Sequence, residues 1–160
     1  MPDPQNFVTV GWREWVAFPE LGLPAVRAKV DTGAKTTALH AHDVVVERKG
    51  GEPWARFSVH PFFRHEALTV ECQAPAVDDR EVTSSSGHTE TRVVVGVIFR
   101  LGVKSDAQEW PIEATLTDRR GMRFPMLLGR EAMAGRVLVD SGASFLLGSP
   151  DRPSALYRPA

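Results

Sequence analysis

Short apolar runs that alternate with polar positions dominate the chain, and glycine- or proline-containing turns separate them. This pattern predicts strands, because a period of two places every second side chain on one face of a sheet. The predicted strands cover residues 7–11, 15–18, 26–30, 43–48, 55–60, 68–72, 91–101, 111–116, 124–128 and 137–139. One short helix is predicted near residues 130–134, closed by Gly135. The pattern is typical of an all-β domain, either a small barrel or a sandwich.

Length and composition narrow the class of protein. A chain of 160 residues with 42% hydrophobic and 24% charged residues predicts one globular domain, at residues 1–148, followed by a flexible C-terminal tail at residues 149–160. The formal net charge of -1 gives no footprint for nucleic acid or a membrane surface. The single cysteine, Cys72, excludes an internal disulfide and a multi-cysteine zinc site. Without a long apolar stretch or a secretory signal, the expected location is cytoplasmic.

The segment Asp31-Thr32-Gly33 follows the alternating strand at residues 26–30 and carries the most chemical information. Glycine permits a tight turn beneath the carboxylate, and the Thr32 hydroxyl is expected to fix the turn against a neighbouring loop. Two such turns facing each other would hold two carboxylates side by side, and repulsion would keep one of them protonated. The pair can then activate water and polarise a peptide carbonyl. Asp31, Thr32 and Gly33 are the predicted catalytic residues, although the tripeptide alone also fits an ordinary turn.

A second segment, Leu127-Leu128-Gly129, favours the catalytic interpretation. It runs from two apolar residues into glycine and then into the predicted helix. Together with residues 30–34, it resembles the retropepsin-like aspartic peptidases, in which an Asp-Thr/Ser-Gly-Ala turn lies beside a later apolar-apolar-Gly segment. The resemblance covers about residues 8–148. It implies a closed β-barrel of the acid-protease type, with Ala34, Leu127, Leu128 and Gly129 supporting the active site.

Three longer stretches narrow the resemblance to one subfamily. That subfamily is labelled ATP-dependent zinc proteases and is associated with ATP-grasp (RimK-type) glutamate ligases. The matching stretches are residues 31–41, 80–88 and 126–133. The association implies glutamate-rich or oligoglutamyl peptides as substrates.

The residues themselves support neither zinc nor ATP. The helix motif His-Glu-x-x-His begins at His65, but Thr69 stands in the place of the second histidine. His40 and His42 could form a pair, yet no acidic or cysteine ligand joins them in an obvious cluster. Residues 33–36 imitate only the end of a phosphate-binding loop. We therefore predict no metal ligands and no cofactor.

The mechanism needs two carboxylates, and the sequence offers two ways to supply them. Residues 140–143 imitate the first turn, so Asp140 could pair with Asp31 inside one chain. The nearest second apolar-apolar-Gly segment, residues 146–148, follows too closely to form a separate loop. We therefore predict a symmetric homodimer with one Asp31 from each copy, and Asp140 in a turn between two C-terminal strands. Residues 137–139 and 145–147 are expected to form a dimer sheet or, equally well, plain core strands.

A flexible flap and a set of arginines complete the predicted substrate site. The flap tip is small, polar and glycine-containing, as a mobile lid requires, and consists of Ser84, Ser85, Ser86, Gly87 and His88. Arginines within or beside the matched stretches could hold acidic side chains of a substrate; they are Arg80, Arg92 and Arg130. Isolated arginines also fit a plain solvated surface.

Three functions remain open at this point. The favoured one is a homodimeric aspartic endopeptidase acting on a peptide or protein substrate. The second is a non-catalytic module that keeps the fold and binds a peptide. The third, a metallopeptidase using His40, His42 or His65, has the weakest support because no coherent ligand set is visible.

Overall fold

The computed structural model describes residues 6–62, 68–83, 86–118 and 123–157. Within these ranges strands predominate and one short α-helix occurs, which confirms the all-β prediction. The strands are β1 Val8–Val10, β2 Arg13–Phe18, β3 Leu23–Val30, β4 Thr37–His40, β5 His42–Lys49, β6 Glu52–Val59, β7 Val70–Thr83, β8 Thr89–Arg100, β9 Glu109–Thr117, β10 Met126–Leu128 and β11 Val137–Val139. The α-helix, α1, spans Arg130–Met133, and 3-10 helices span Pro19–Leu21 and Pro153–Tyr157.

A nine-stranded sheet forms most of the domain, in the order β2-β3-β10-β4-β9-β8-β7-β6-β5. A further pairing, between Ala17 of β2 and Arg100 of β8, closes β2, β3, β10, β4, β9 and β8 into a ring. The strands of a closed ring have neighbours on both sides, so they expose no free edge. Large apolar side chains with full burial form the core, among them Phe18, Phe57, Phe99, Leu39 and Met126.

The alternation in β3 fixes the position of Asp31. Val26, Ala28 and Val30 are buried in the core, while Lys29 between them is exposed. Because successive side chains of a strand point to opposite faces, this burial holds the strand in one register. β3 ends at Val30, so Asp31 is the first residue of the turn that follows.

β10 brings the second predicted segment beside that turn. It lies between β3 and β4, parallel to β3 and antiparallel to β4. Its register pairs Leu128 with Val30, so that Gly129 follows directly beside Asp31. α1 begins at Arg130, as the sequence predicts.

β1 and β11 form a separate two-stranded parallel sheet, in which Val8 pairs with Val137 and Val10 with Val139. β11 pairs with β1 of its own chain, and residues 145–147 belong to no strand. The expected strand at residues 145–147 is therefore wrong, and the turn at Asp140 follows one strand instead of joining two. Pairing of β11 across a dimer stays a prediction. The apolar residues of β11 pair with β1, so Asp140 follows the end of a parallel strand pair.

Part of the segment predicted as a tail packs against β3. The Tyr157 hydroxyl donates a hydrogen bond to the Ala25 carbonyl oxygen. The Tyr157 ring also meets the Phe62 ring edge-on, with centroids 5.4 Å apart. Burial raises the pKa of the Tyr157 hydroxyl. Among the helices of the described ranges, none has the length and apolar character needed to cross a lipid bilayer.

Candidate active site

Backbone hydrogen bonds hold the turn at Asp31. The Asp31 N–H donates to the Leu128 carbonyl oxygen over 2.9 Å, and the Ala34 N–H donates to the Asp31 carbonyl oxygen over 3.2 Å. The Gly33 N–H donates to Asp31 Oδ1 over 3.0 Å. A Cβ atom on Gly33 would lie 3.3 Å from the same oxygen, so glycine lets the backbone pass close beneath the carboxylate. The half-buried Asp31 side chain therefore has a fixed direction at the end of β3.

Gly129 lies so close to the chain after the turn that no side chain fits there. A Cβ atom on Gly129 would lie 2.4 Å from the Thr36 carbonyl carbon. The Gly129 N–H donates to the Thr37 hydroxyl over 3.1 Å, and the next N–H, of Arg130, donates to the Ala34 carbonyl oxygen over 2.8 Å. These contacts place Ala34, Leu128 and Gly129 next to the turn at Asp31, and Leu127 pairs with Ala38 of β4 on the other side.

Thr37 is a supporting residue that the sequence analysis missed. Its side chain is 2% exposed, and its hydroxyl accepts the hydrogen bond from Gly129. In the sequence, Thr37 is only a polar residue at the start of a short run in which polar and apolar residues mix, Thr37 to His40. Nothing in that run indicates a role beside the Asp31 turn. The Thr32 side chain is exposed, and its hydroxyl has no hydrogen-bond partner in the part of the chain that is described, so its contact with a neighbouring loop stays a prediction.

Arg130 contacts the turn itself. Its Nη1 atom donates to the carbonyl oxygens of Thr32 and Gly33, over 3.3 and 3.1 Å. The side chain remains exposed at the edge of the turn. In this arrangement the guanidinium group caps backbone carbonyls beside Asp31.

The predicted flap lies on a long antiparallel hairpin. β7 and β8 pair from Ala76 and Val95 out to Thr83 and Thr89. Ser84 and Ser85 lie outside the described residues, whereas Ser86, Gly87 and His88 are exposed at the turn. Gly87 has a φ of 83°, a left-handed conformation that favours glycine. The described residues of the predicted flap therefore lie at the turn of an antiparallel hairpin, and their role as a flap stays a prediction.

The two hairpin arginines have acidic neighbours. Arg80 Nη2 lies 2.8 Å from Glu113 Oε1, and Arg92 pairs with Glu90 two residues earlier. Arg80 and Glu113 also line a surface cavity of about 320 Å³, together with Thr36, Thr37, Trp110 and Glu131. The cavity therefore extends from Arg80 of the hairpin to the chain that follows the Asp31 turn.

The turn at Asp140 has the same geometry as the turn at Asp31. The Gly142 N–H donates to Asp140 Oδ1 over 3.1 Å, and the Asp140 N–H donates to the Val10 carbonyl oxygen over 2.8 Å. A Cβ atom on Gly11 would lie 2.2 Å from the Ala143 carbonyl oxygen. The segment that packs against this turn is therefore Thr9-Val10-Gly11, in the position that Leu127-Leu128-Gly129 has beside Asp31. The sequence pattern offered only residues 146–148 for this position, and they follow Asp140 too closely to form a separate loop.

Trp12 connects the two turns through its backbone. The Trp12 N–H donates to the Ala143 carbonyl oxygen, and the Trp12 carbonyl oxygen accepts from the Val30 N–H, each over 2.8 Å. The second turn is supported by Glu14, which is fully buried. Its carboxylate accepts hydrogen bonds from the N–H groups of Gly11, Leu146 and Leu147, over 2.7, 2.9 and 3.1 Å.

The histidines named in the sequence analysis lie elsewhere. His40 and His42 lie at the end of β4 that is remote from Thr37, and their rings are 4.6 Å apart. Asp118 lies beside them, which corrects the expectation that no acidic side chain joins this pair. Burial and the neighbouring His42 lower the pKa of His40 below its ordinary value. His65 lies outside the described residues.

Comparisons with known proteins identify relatives of this chain. A family model described as RimB-like, "Retropepsin-like aspartic endopeptidase RimB", matches residues 9–150. A Shewanella pealeana protein named "Probable alpha-L-glutamate ligase" is 42% identical over 143 residues, which are 89% of this chain and 30% of that protein. A Parasynechococcus marenigrum protein of the same name is 44% identical over 154 residues, 95% of this chain and 32% of its own length.

A solved structure also matches. A crystal structure of a Legionella pneumophila protein of unknown function has a TM-score of 0.71 and 28% identity, and the match covers 88% of this chain and 98% of that one. The chain thus corresponds to nearly all of that protein. By contrast, it spans only 30 to 32% of the length of the curated relatives.

Proposed function

Because the chain belongs to the RimB family of retropepsin-like aspartic endopeptidases, we propose that it hydrolyses peptide bonds with two Asp31 carboxylates, one from each of two copies. The observation that carries this proposal is the construction around Asp31. A carboxylate at the end of a buried strand is held by the Gly33 N–H and flanked by Gly129. A preorganised carboxylate of this kind suits acid–base catalysis.

A second copy supplies the partner carboxylate in this proposal. In the described part of the chain, the Asp31 carboxylate accepts one hydrogen bond, from the Gly33 N–H. Thr32 and Gly33 beside it are exposed, so the turn is accessible to an equal turn related by a two-fold axis. The exposed Thr32 hydroxyl is then available to the other copy.

The proposed reaction is a general acid–base hydrolysis. One Asp31 carboxylate is ionised and removes a proton from a water molecule, while the other is protonated and donates to the peptide carbonyl oxygen. Water adds to the carbonyl carbon to give a tetrahedral diol. The carboxyl group that took the proton from water gives it to the leaving nitrogen and the C–N bond breaks, while the other carboxylate takes a proton from a diol hydroxyl, which restores the starting pair. The shared proton follows from repulsion between two adjacent carboxylates.

We propose peptides rich in glutamate as the substrate class. Two relatives carry the name probable alpha-L-glutamate ligase. An enzyme of that name would form peptides of linked glutamates, which a peptidase could then cleave. Arg80 and Arg92 on the flap hairpin provide positive groups that can exchange their present acidic partners for substrate carboxylates.

The decisive experiment compares Asp31→Asn with Asp140→Asn. Asparagine retains an oxygen that can accept from the glycine N–H in either turn, so both variants are expected to fold. We expect Asp31→Asn to lower kcat on oligoglutamate peptides about 10²–10⁴-fold, and Asp140→Asn to leave it near the wild-type value. Mass spectrometry of the products and sedimentation analysis provide the readouts.

Three other results would change the conclusion. Undiminished turnover by Asp31→Asn would refute the proposal. Inactivation by either substitution, in a protein that sediments as a monomer, would place both aspartates in a single-chain pair. A wild-type protein that binds the peptide without cleaving it would indicate a binding module.

A further inference from the structure

Three imidazoles and a carboxylate converge at the end of β4 that is remote from the Asp31 turn. His40 ends β4, His42 begins β5, and Asp118 follows β9. Potential ligand atoms of these three residues all lie within 4.8 Å of one another. The ring of His60, which follows β6, has its centroid 4.8 Å from that of His42. Nothing in the proposed peptidase reaction uses these residues.

We propose that this cluster binds a divalent transition-metal ion of the zinc class, with His40, His42 and Asp118 as ligands and His60 as the fourth. Imidazole nitrogen and carboxylate oxygen are ordinary zinc ligands. In a tetrahedral site, bonds of about 2.0–2.1 Å place neighbouring donor atoms roughly 3.3 Å apart. The observed distance between His42 Nδ1 and Asp118 Oδ1 is 3.4 Å.

Backbone carbonyls orient two of the rings for metal binding. His40 Nδ1 lies 3.2 Å from the Thr117 carbonyl oxygen, and His60 Nδ1 lies 3.4 Å from the Leu68 carbonyl oxygen. A carbonyl can only accept, so in His40 the proton resides on Nδ1 and the lone pair on Nε2. His60 Nδ1 also lies 3.1 Å from the Thr69 hydroxyl, which holds the same ring edge. A hydrogen bond from the second ring nitrogen to a carbonyl is the usual outer-shell arrangement of a metal-bound histidine.

A buried hydroxyl group beside the cluster also supports the proposal. Thr117 is 3% exposed, and its Oγ1 has no hydrogen-bond partner among the described residues. Thr117 and His40 are register partners in the parallel pair of β9 and β4, so their side chains share one face of the sheet. The hydroxyl could therefore bond a water molecule or a ligand group of the metal site.

The position of the cluster assigns the ion a structural role. Thr37 contacts Gly129 at the catalytic end of β4, and His40 lies three residues further along the strand. At about 3.3 Å per residue the separation is roughly 10 Å. An ion there is too far away to activate water at Asp31. It would instead join the ends of β4 and β6, the start of β5 and the residue after β9.

The test uses the full chain, free of affinity tags and stripped of metal. We expect zinc to bind with one-to-one stoichiometry in calorimetry, and cobalt to give the visible absorption of a tetrahedral nitrogen–oxygen site. At a hundredfold excess over Kd, zinc is expected to raise Tm by about 5–10 °C. His42→Ala and Asp118→Asn should each weaken binding at least about tenfold. His88→Ala, at the exposed hairpin tip, is the matched control and should bind like wild type.

Several results would overturn the proposal. The proposal fails if the wild-type protein shows no saturable zinc binding or if Asp118→Asn binds zinc with unchanged affinity. It also fails if His88→Ala weakens zinc binding as much as the ligand substitutions do. Asp118 has a side chain that is 50% exposed, so its replacement by asparagine keeps the test valid even if His42→Ala does not fold. Peptidase activity separates this inference from the proposed function. A folded, metal-free protein should still cleave peptides, and loss of cleavage that zinc restores would refute the structural role.

Discussion

The turns at Asp31 and Asp140 have the same backbone contacts but different surroundings. In each turn an aspartate carboxylate accepts from a glycine N–H two residues later, and a second glycine packs directly against the turn. Asp31 follows a strand of the nine-stranded sheet and is half-buried, whereas Asp140 follows the small sheet and is exposed. The comparison teaches that one backbone motif can stand in two different environments, because burial and neighbouring groups differ between its two copies.

The group that supports each packed glycine also differs. The Gly129 N–H donates to the neutral Thr37 hydroxyl, while the Gly11 N–H donates to the ionisable Glu14 side chain. Glu14 also accepts from two further N–H groups, so it joins β2 to the segment after the second turn. We interpret the turn at Asp140 as a structural counterpart of the turn at Asp31. The buried Glu14 carboxylate holds its surroundings in place through hydrogen bonds.

The largest effect is expected from placing a methyl group on either packed glycine. Gly129→Ala and Gly11→Ala would bring Cβ within 2.4 and 2.2 Å of backbone atoms. Since backbone cannot move aside as a flexible side chain can, each should lower the free energy of unfolding by about 3 kcal/mol. Urea denaturation measures this. Gly96→Ala, whose Cβ would lie 3.4 Å from a Val77 methyl group, is the control. If Gly11→Ala behaves like the control, the two turns are not equivalent.

Glu14→Gln tests the support of the second turn. One carboxylate oxygen becomes an NH₂ group that faces backbone N–H donors, so at least one buried hydrogen bond is lost. We expect a loss of about 2–3 kcal/mol in the free energy of unfolding, with Glu20→Gln on the surface near zero. Denaturation of both variants at one pH decides the matter. Equal stability of the two would show that the carboxylate is dispensable.

Thr37→Val tests the support of the first turn. Valine keeps the shape but leaves the Gly129 N–H without its acceptor, so a loss of about 1–2 kcal/mol is expected. Thr37→Ser restores the hydroxyl and should recover most of the hydrogen-bond contribution. Thermal unfolding of the two variants distinguishes the hydroxyl from the methyl group. A valine variant as stable as wild type would contradict this role.

Arg130→Ala is expected to have the smallest effect on stability. The guanidinium is exposed, so its two bonds to the turn carbonyls should contribute less than about 1 kcal/mol. No arginine caps the carbonyls of residues 141 and 142 in the described part of the chain, so the substitution removes one difference between the turns. The change in Tm measures it, and a fall typical of a core substitution would show that the first turn depends on this cap.

Local sequence patterns predicted the parts of the fold that depend on local chemistry. The alternation around Val26 to Val30 located β3, and the residues after it located the turn at Asp31. The apolar run before Gly129 located β10, and the short helix began where it was expected. These features follow from side-chain burial and glycine geometry within a few residues.

Contacts between distant segments were not predictable in the same way. The parallel pairing of β1 with β11 joins the two ends of the domain, and no local signal in either strand specifies its partner. Glu14 is a charged residue at a fully buried position, against the usual preference of glutamate for the surface. Asp118 meets His42 only because β9 and β4 are parallel neighbours. The strand β4 itself was missed, since its four residues carry only one short alternation.

The backbone of Trp12 has a mechanical consequence for the active site. The Trp12 N–H bonds the turn at Asp140, and the Trp12 carbonyl oxygen bonds the end of β3, which leads into the turn at Asp31. One residue therefore connects the two turns. We expect a displacement of the exposed turn at Asp140 to act, through the Trp12 backbone, on the end of β3 that precedes Asp31.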